Sequence, residues 1–165
     1  MLAVASIVVG VAAPGLRQLA DSLRVRAASS QLLSELNHAR SEAIRRNGRV
    51  VVCKSRDREN CTLEGGWDQG WIVFDDANNN AVRDAGEAVI RGVEGAPEGL
   101  RIVGNEMVSA YVSFTGFGGP RLVSGAFQAG TITVCRASAQ AGEGRQLVVN
   151  SVGRARMQKA MLESC

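Results

Sequence analysis

Arg154 and Arg156 follow Gly153 in a Gly-Arg-x-Arg arrangement. Two residues spaced this way on a strand project from one face. A guanidinium stays charged at any physiological pH and presents several donors in a fixed fork, which suits phosphate oxygens. From Arg136 onward the cations are Arg136, Arg145, Arg154, Arg156 and Lys159, set against Glu143 and Glu163. Gly153 permits close backbone approach to a ligand. The chemistry on offer is recognition of a polyanion, and the plainer alternative is a solvated strand face.

A second cluster has metal-ligand spacing. Asp76, Asn78, Asn80, the Val82 carbonyl, Asp84 and Glu87 fall at positions 1, 3, 5, 7, 9 and 12 of a calcium-loop template. Ala81 stands where that template needs glycine, and a strand precedes the loop in place of a helix. Asn and Asp also build ordinary Asx turns, so the turn is the preferred reading and no metal or cofactor is expected. His38 is the one histidine and lies in a helical stretch. Without a second histidine or a nucleophile motif there is no case for an enzyme or a small-molecule substrate. Trp67 and Trp71 flank a Gly-rich turn and suit core packing or loop anchoring better than a binding surface.

The cysteines are Cys53, Cys61, Cys135 and Cys165, with no CxxC pair to suggest zinc. Four reduced thiols remain one reading. An even count with one close pair points instead to two disulfides. Of the three connectivities, the local pairing Cys53–Cys61 with Cys135–Cys165 is the one expected. Chain entropy assigns these loops about 2.5 and about 3.5 kcal/mol. Disulfides require an oxidising compartment and therefore export.

The elements that must position these groups begin with a long helix. Met1 to Leu16 carry no charge, and Arg17 is the first. Sixteen helical residues rise about 24 Å, short of a hydrocarbon core of roughly 30 Å. No basic stretch precedes the apolar run, so a cleavable secretory signal does not fit. The segment reads as a membrane helix whose beginning is missing, with Pro14 and Gly15 expected to kink it. Beyond them Leu16, Leu19, Leu23, Ala27, Leu33, Leu36, Ala39 and Ala43 trace an apolar stripe at helical spacing, with Arg17, Arg24, Glu35, Arg40, Arg45 and Arg46 largely off it. Asn47-Gly48 ends the helix before the β-branched run at Val50.

After Gly48 the helical period gives way to short apolar runs separated by Gly, Asn and Pro turns. Strands are predicted at 50–53, 70–74, 88–91, 100–103, 110–114, 131–135 and 146–150. The fold class is α+β, a long helix packed on an antiparallel β-rich head. Residues 1–21 form the membrane or filament-core half of the helix, and 22–165 form the head with the amphipathic half. A chain of 165 residues holds one domain, and 45% apolar with 21% charged residues excludes a disordered protein. The net charge of +3 is too small to diagnose a nucleic-acid protein, so placement of the charges has to decide.

Several segments together resemble the GspH/FimT family of type IV minor pilins and type II secretion pseudopilins. They are the apolar start, ARSEAIRRNGRVVVCKS (Ala39 to Ser55), GWDQGWIVFDDANNNAVRDAGE (Gly66 to Glu87) and SVGRAR (Ser151 to Arg156). The likeness covers nearly the whole chain. Family members begin with a basic leader, a Gly cleavage site and a Phe-Thr-Leu-Ile-Glu-type start. Met1-Leu2-Ala3 begins just inside that motif, so truncation or a misassigned start is expected. The resemblance implies an inner-membrane, single-pass protein with a periplasmic head, assembled with other minor and major pilins into a pilus or pseudopilus. The Gly-Arg-x-Arg ending is also similar to the tail of FimT-type minor pilins that capture double-stranded DNA in natural transformation. That likeness implies a DNA site of Gly153, Arg154, Arg156 and Lys159, with Arg136 and Arg145 contributing. Similar endings occur in members that only build filaments.

Overall fold

The computed structural model describes residues 2–138 and 140–165, with side-chain positions from Leu19 onward. Helix α1 runs unbroken from Leu2 to Arg46, through Pro14 and Gly15. Eight strands follow: β1 Val50–Lys54, β2 Gly70–Asp75, β3 Val89–Glu94, β4 Leu100–Gly104, β5 Tyr111–Phe114, β6 Gly130–Arg136, β7 Gly142–Val149 and β8 Ala155–Leu162. They form two antiparallel four-stranded sheets, ordered β3-β2-β1-β5 and β4-β6-β7-β8. The chain therefore changes sheet at β4, returns for β5, and leaves again at β6.

The stop at the end of α1 has a clear cause. Asn47 adopts φ +50°, and the Gly48 amide reaches back to the Ala43 carbonyl at 3.2 Å. This left-handed residue satisfies carbonyls that the last helical turn would otherwise leave open.

The buried stripe of α1 is Val25, Ala28, Leu32, Leu36, Ala39 and Ala43, at spacings of three and four. It meets Val50, Val52, Trp71, Phe114, Ile132, Val134, Leu147 and Val149 from both sheets. Leu32 and Leu36 are wholly buried, so truncating either to Ala should cost about 2–5 kcal/mol. The expected stripe agrees with the structure from Leu36 onward and turns away before it. Leu19 and Leu23 are each 56% exposed, and Ala27 is exposed as well. The head buries apolar side chains of the helix only from Val25, so these residues satisfy helical periodicity on a face left exposed.

Two residues placed off the stripe point into the fold. Glu35 is buried and accepts from Arg91 of β3 at 3.1 Å, and Arg40 reaches two loop carbonyls. A long charged side chain can bury its stem while its head finds partners, which apolar periodicity does not report.

Trp67 and Trp71 are both buried, and Trp67 Nε1 donates to the Val108 carbonyl at 3.0 Å. A second apolar cluster, Val51, Cys53, Ile72 and Phe74, lies on the opposite face of the first sheet. Lys54, the last residue of β1, is buried too. Its Nζ donates to the carbonyls of Leu63 and Gly65, and burial lowers its pKa. The structure joins Cys53 to Cys61 and Cys135 to Cys165, with Cα separations of 5.6 and 6.0 Å.

Candidate functional site: the Asn150–Arg156 turn

The turn between β7 and β8 is built around one side chain. Asn150 Oδ1 accepts from the amides of Val152 (3.2 Å) and Arg154 (2.9 Å). The Asn150 carbonyl accepts from Gly153 N at 2.9 Å, and Asn150 N donates to the Arg154 carbonyl at 3.2 Å. An Asn side chain that mimics backbone acceptors is the usual way to fix so tight a reversal.

Gly153 adopts φ +85° and is buried. A Cβ placed on it would lie 1.8 Å from the Gly118 carbonyl oxygen. The close approach expected of Gly153 is thus to another loop of the head and not to a ligand. That loop is itself rigid: Gly118 N donates to the Thr115 carbonyl at 2.7 Å, and Thr115 N donates to the Gly119 carbonyl at 3.1 Å. Arg40 of α1 joins the two loops. Its Nε donates to the Gly118 carbonyl at 3.0 Å, and its Nη2 to the Val152 carbonyl at 3.4 Å. Helix, loop and turn are stapled at one point.

The residues assigned to the site divide into two groups. Arg154 ends this turn and Arg156 lies in β8, both exposed. Among the described residues neither has a carboxylate within ion-pair range. Arg156 pairs in register with Val148, whereas Lys159 pairs with Arg145. An odd offset along the strand places Arg156 and Lys159 on opposite faces of the sheet. Lys159 and Arg145 both pair with Glu143 at 3.4 Å, and Arg136 pairs with Asp21 of α1 at 2.9 Å. Lys159, then Arg145, hold the Glu143 carboxyl below its ordinary range. The basic tail is therefore not one patch. Arg136, Arg145 and Lys159 follow the core-facing register of β6, β7 and β8, where acids already answer them. They line or neighbour a cavity of about 440 Å³ bounded by Asp21, Val25, Arg136, Glu143, Leu162 and Cys165.

The Asp76–Glu87 loop is closed by its own groups. Asp76 accepts from the amides of Asn80 (3.1 Å) and Ala81 (3.0 Å), and Glu87 accepts from those of Ala77 (2.8 Å) and Asp84 (2.9 Å). Asn78 and Asn80 both donate to Asp84 Oδ2, lowering its pKa. Burial raises that of Asp76. Ala81 takes the turn glycine's place at φ +59°. Among the described residues no cluster of His, Cys, Asp or Glu could hold a metal ion.

Two residues of the site carry no motif in the sequence. Arg40 falls on the helix surface by periodicity alone. Phe117, at the tip of the Thr115–Gly119 turn, is 95% exposed. Its signal is an aromatic flanked by glycines, in Thr-Gly-Phe-Gly-Gly-Pro, where nothing local can bury it.

The model of a protein family described as type II transport protein GspH matches residues 28–153. The chain belongs to the GspH family. The match ends at Gly153, one residue before the free arginines. The fold is similar to two crystal forms of the type IV minor pilin FimU from Pseudomonas aeruginosa strain PAO1. One aligns with a TM-score of 0.62 at 21% identity, over 85% of this chain and 98% of the crystallised chain. The other aligns with a TM-score of 0.62 at 19% identity, over 89% and 98%. No curated protein matches the sequence. The GspH-family chain thus has the type IV pilin fold, an N-terminal helix followed by antiparallel sheets.

Proposed function

We propose that this GspH-family protein is a minor pilin that joins a filament through α1 and offers Arg154 and Arg156 to the phosphates of double-stranded DNA. The observation that carries the DNA reading is that two exposed guanidinium groups, free of carboxylate partners among the described residues, follow a turn stapled to α1. A pair of unanswered cations beside a fixed turn suits a polyanion, and the binding is independent of sequence because phosphates carry no base identity. Arg136, Arg145 and Lys159 have a lesser part, since each must first leave an acid.

Assembly rests on the other end of the molecule. The family's subunits are structural and not catalytic. Leu19, Leu23 and Ala27 leave an apolar helix face uncovered, which suits packing against helices of other pilins. Residues 1–21 are assigned to the inner membrane and then the filament core, and 22–165 to the periplasmic head. Of residues 1–21, the side chains of residues 1–18 lie outside the described residues. Among the described residues no helix is long and apolar enough to cross a membrane. The same helix face favours a second reading, in which the protein initiates a pilus or secretion pseudopilus without touching DNA.

A salt titration of the detergent-solubilised chain with a DNA duplex separates the two readings. Few phosphates are engaged, so affinity should fall in the roughly 10⁻⁴–10⁻⁶ M range of non-specific binding. The double variant Arg154→Gln, Arg156→Gln should bind more weakly at low salt. Its salt slope should shrink by about 0.9 for each phosphate that the variant no longer neutralises. Equal binding by wild type and variant, or none by either, leaves the filament-building reading.

A further inference from the structure

We infer that Phe117 is a stacking platform for an unpaired base beside the arginine pair, so that the site takes single-stranded DNA or frayed duplex ends more tightly than closed duplex. The inference rests on the proposed DNA reading and deepens it. Phe117 sits one residue from Gly118, and Arg154 one residue from Gly153. Gly118 and Gly153 are the residues whose backbones touch, as the 1.8 Å clash of an added Cβ shows. Phe117 and Arg154 therefore follow adjoining turns held by the Arg40 staple, and both side chains are exposed.

The ring is also left open. Phe127, another exposed aromatic, carries the Arg121 guanidinium 3.7 Å from its ring centroid. Among the described residues no cation covers Phe117. Its turn is closed by hydrogen bonds at Thr115, Gly118 and Gly119, so the tip does not collapse onto the head. An aromatic held rigidly in water loses little freedom when it meets a flat partner. Every base has a π-face, so stacking is sequence-tolerant, and adjacent cations hold the strand's phosphates. An intact duplex hides its base faces, and only the arginines can then engage.

The test measures binding of three fluorescent probes to the detergent-solubilised full chain at low salt: a mixed-sequence single strand, a blunt duplex of equal length, and a closed duplex circle. Wild type should bind the single strand most tightly. Phe117→Ala should weaken single-strand binding by roughly 5-fold or more and leave the closed circle unchanged, while Phe117→Trp should keep the preference. The Arg154→Gln, Arg156→Gln double variant should weaken all three. Equal single-strand binding by wild type and Phe117→Ala, or an equal loss on all probes, overturns the stacking role and leaves the arginine reading intact. Retained DNA binding with failed filament assembly in Phe117→Ala would make the ring a subunit interface residue and overturn it as well. Failure of the arginine variant to weaken any probe removes both proposals.

Discussion

Substituting Gly153 with Ala tests whether the turn is set by the neighbouring loop or by backbone conformation alone. Two penalties combine there. An L-residue in the left-handed region costs roughly 1–2 kcal/mol. The new Cβ must also displace the Gly118 carbonyl, which it would approach to 1.8 Å. That carbonyl and the one at Val152 are the two acceptors of Arg40, at 3.0 and 3.4 Å. A hydrogen bond to a charged donor contributes about 1.5–3 kcal/mol, and partial exposure puts this pair at the low end. The sum is about 4 kcal/mol, or a fall in Tm of roughly 10 °C for a chain of this length. Gly125 supplies the control. It has the same φ of +85°, and an added Cβ there meets nothing within 4 Å. Gly125→Ala should therefore carry only the backbone penalty of roughly 1–2 kcal/mol, which at the same conversion is a fall of about 3–5 °C. Circular dichroism melts of both variants in one detergent measure the difference. Equal losses would refute the approach of Gly118 as the reason for glycine at 153.

Removing the Cys135–Cys165 bridge by a double Ser substitution should cost about 3.5 kcal/mol, against about 2.5 for Cys53–Cys61. Hydrogen exchange should show β8 amides opening in the first variant alone. At the Arg91–Glu35 ion pair, Arg91→Ala should destabilise more than Glu35→Leu, because the first strands a buried carboxylate and the second frees an arginine already 53% exposed. Denaturant melts that rank them the other way would remove the pair from the account. Burial raises the pKa of Asp76 above its ordinary value of 3.8. The folded state then holds more protons than the unfolded one between those values, so this group makes stability fall as pH rises through that window. Asp76→Asn should flatten the fall in pH-dependent melts. Finally, the full chain should partition into membranes while a fragment starting at Ser22 stays soluble and folded, as sedimentation with vesicles would show.

Much of the fold is legible in the sequence because its signals are local. Asn47-Gly48 ends the helix, and seven strands announce themselves as apolar runs between turn residues. β8 is the exception. Ala155–Leu162 is an edge strand in which Gln158 and Lys159 are both exposed, so the alternation of half-buried and exposed residues slips midway and Met157, Ala160 and Met161 offer no clean period of two. β7 starts at Gly142, four residues before the predicted run, because Gly-Glu-Gly reads as a turn. The candidate site is legible in its residue types and not in its grouping. Strand parity separates Arg156 from Lys159 once register is known, but register depends on how the β7–β8 turn closes. Gly153 declares itself as a close-approach residue, while its partner, Gly118, lies 35 positions away. Arg40 gives no sign at all, since a helix arginine within reach of a loop looks like any solvated one.

The excursion of β4 into the second sheet bears on how the subunit withstands load. β4 is held at both ends of its sequence by strands of the first sheet, β3 before it and β5 after it. The second sheet therefore cannot leave as one contiguous stretch, and α1 packs on both sheets. Such interleaving merges what would be separate opening units into one cooperative transition. In the proposed filament, a tug along the axis would meet no clean seam between the sheets at which the head can peel in stages, and the subunit should yield as a whole or not at all.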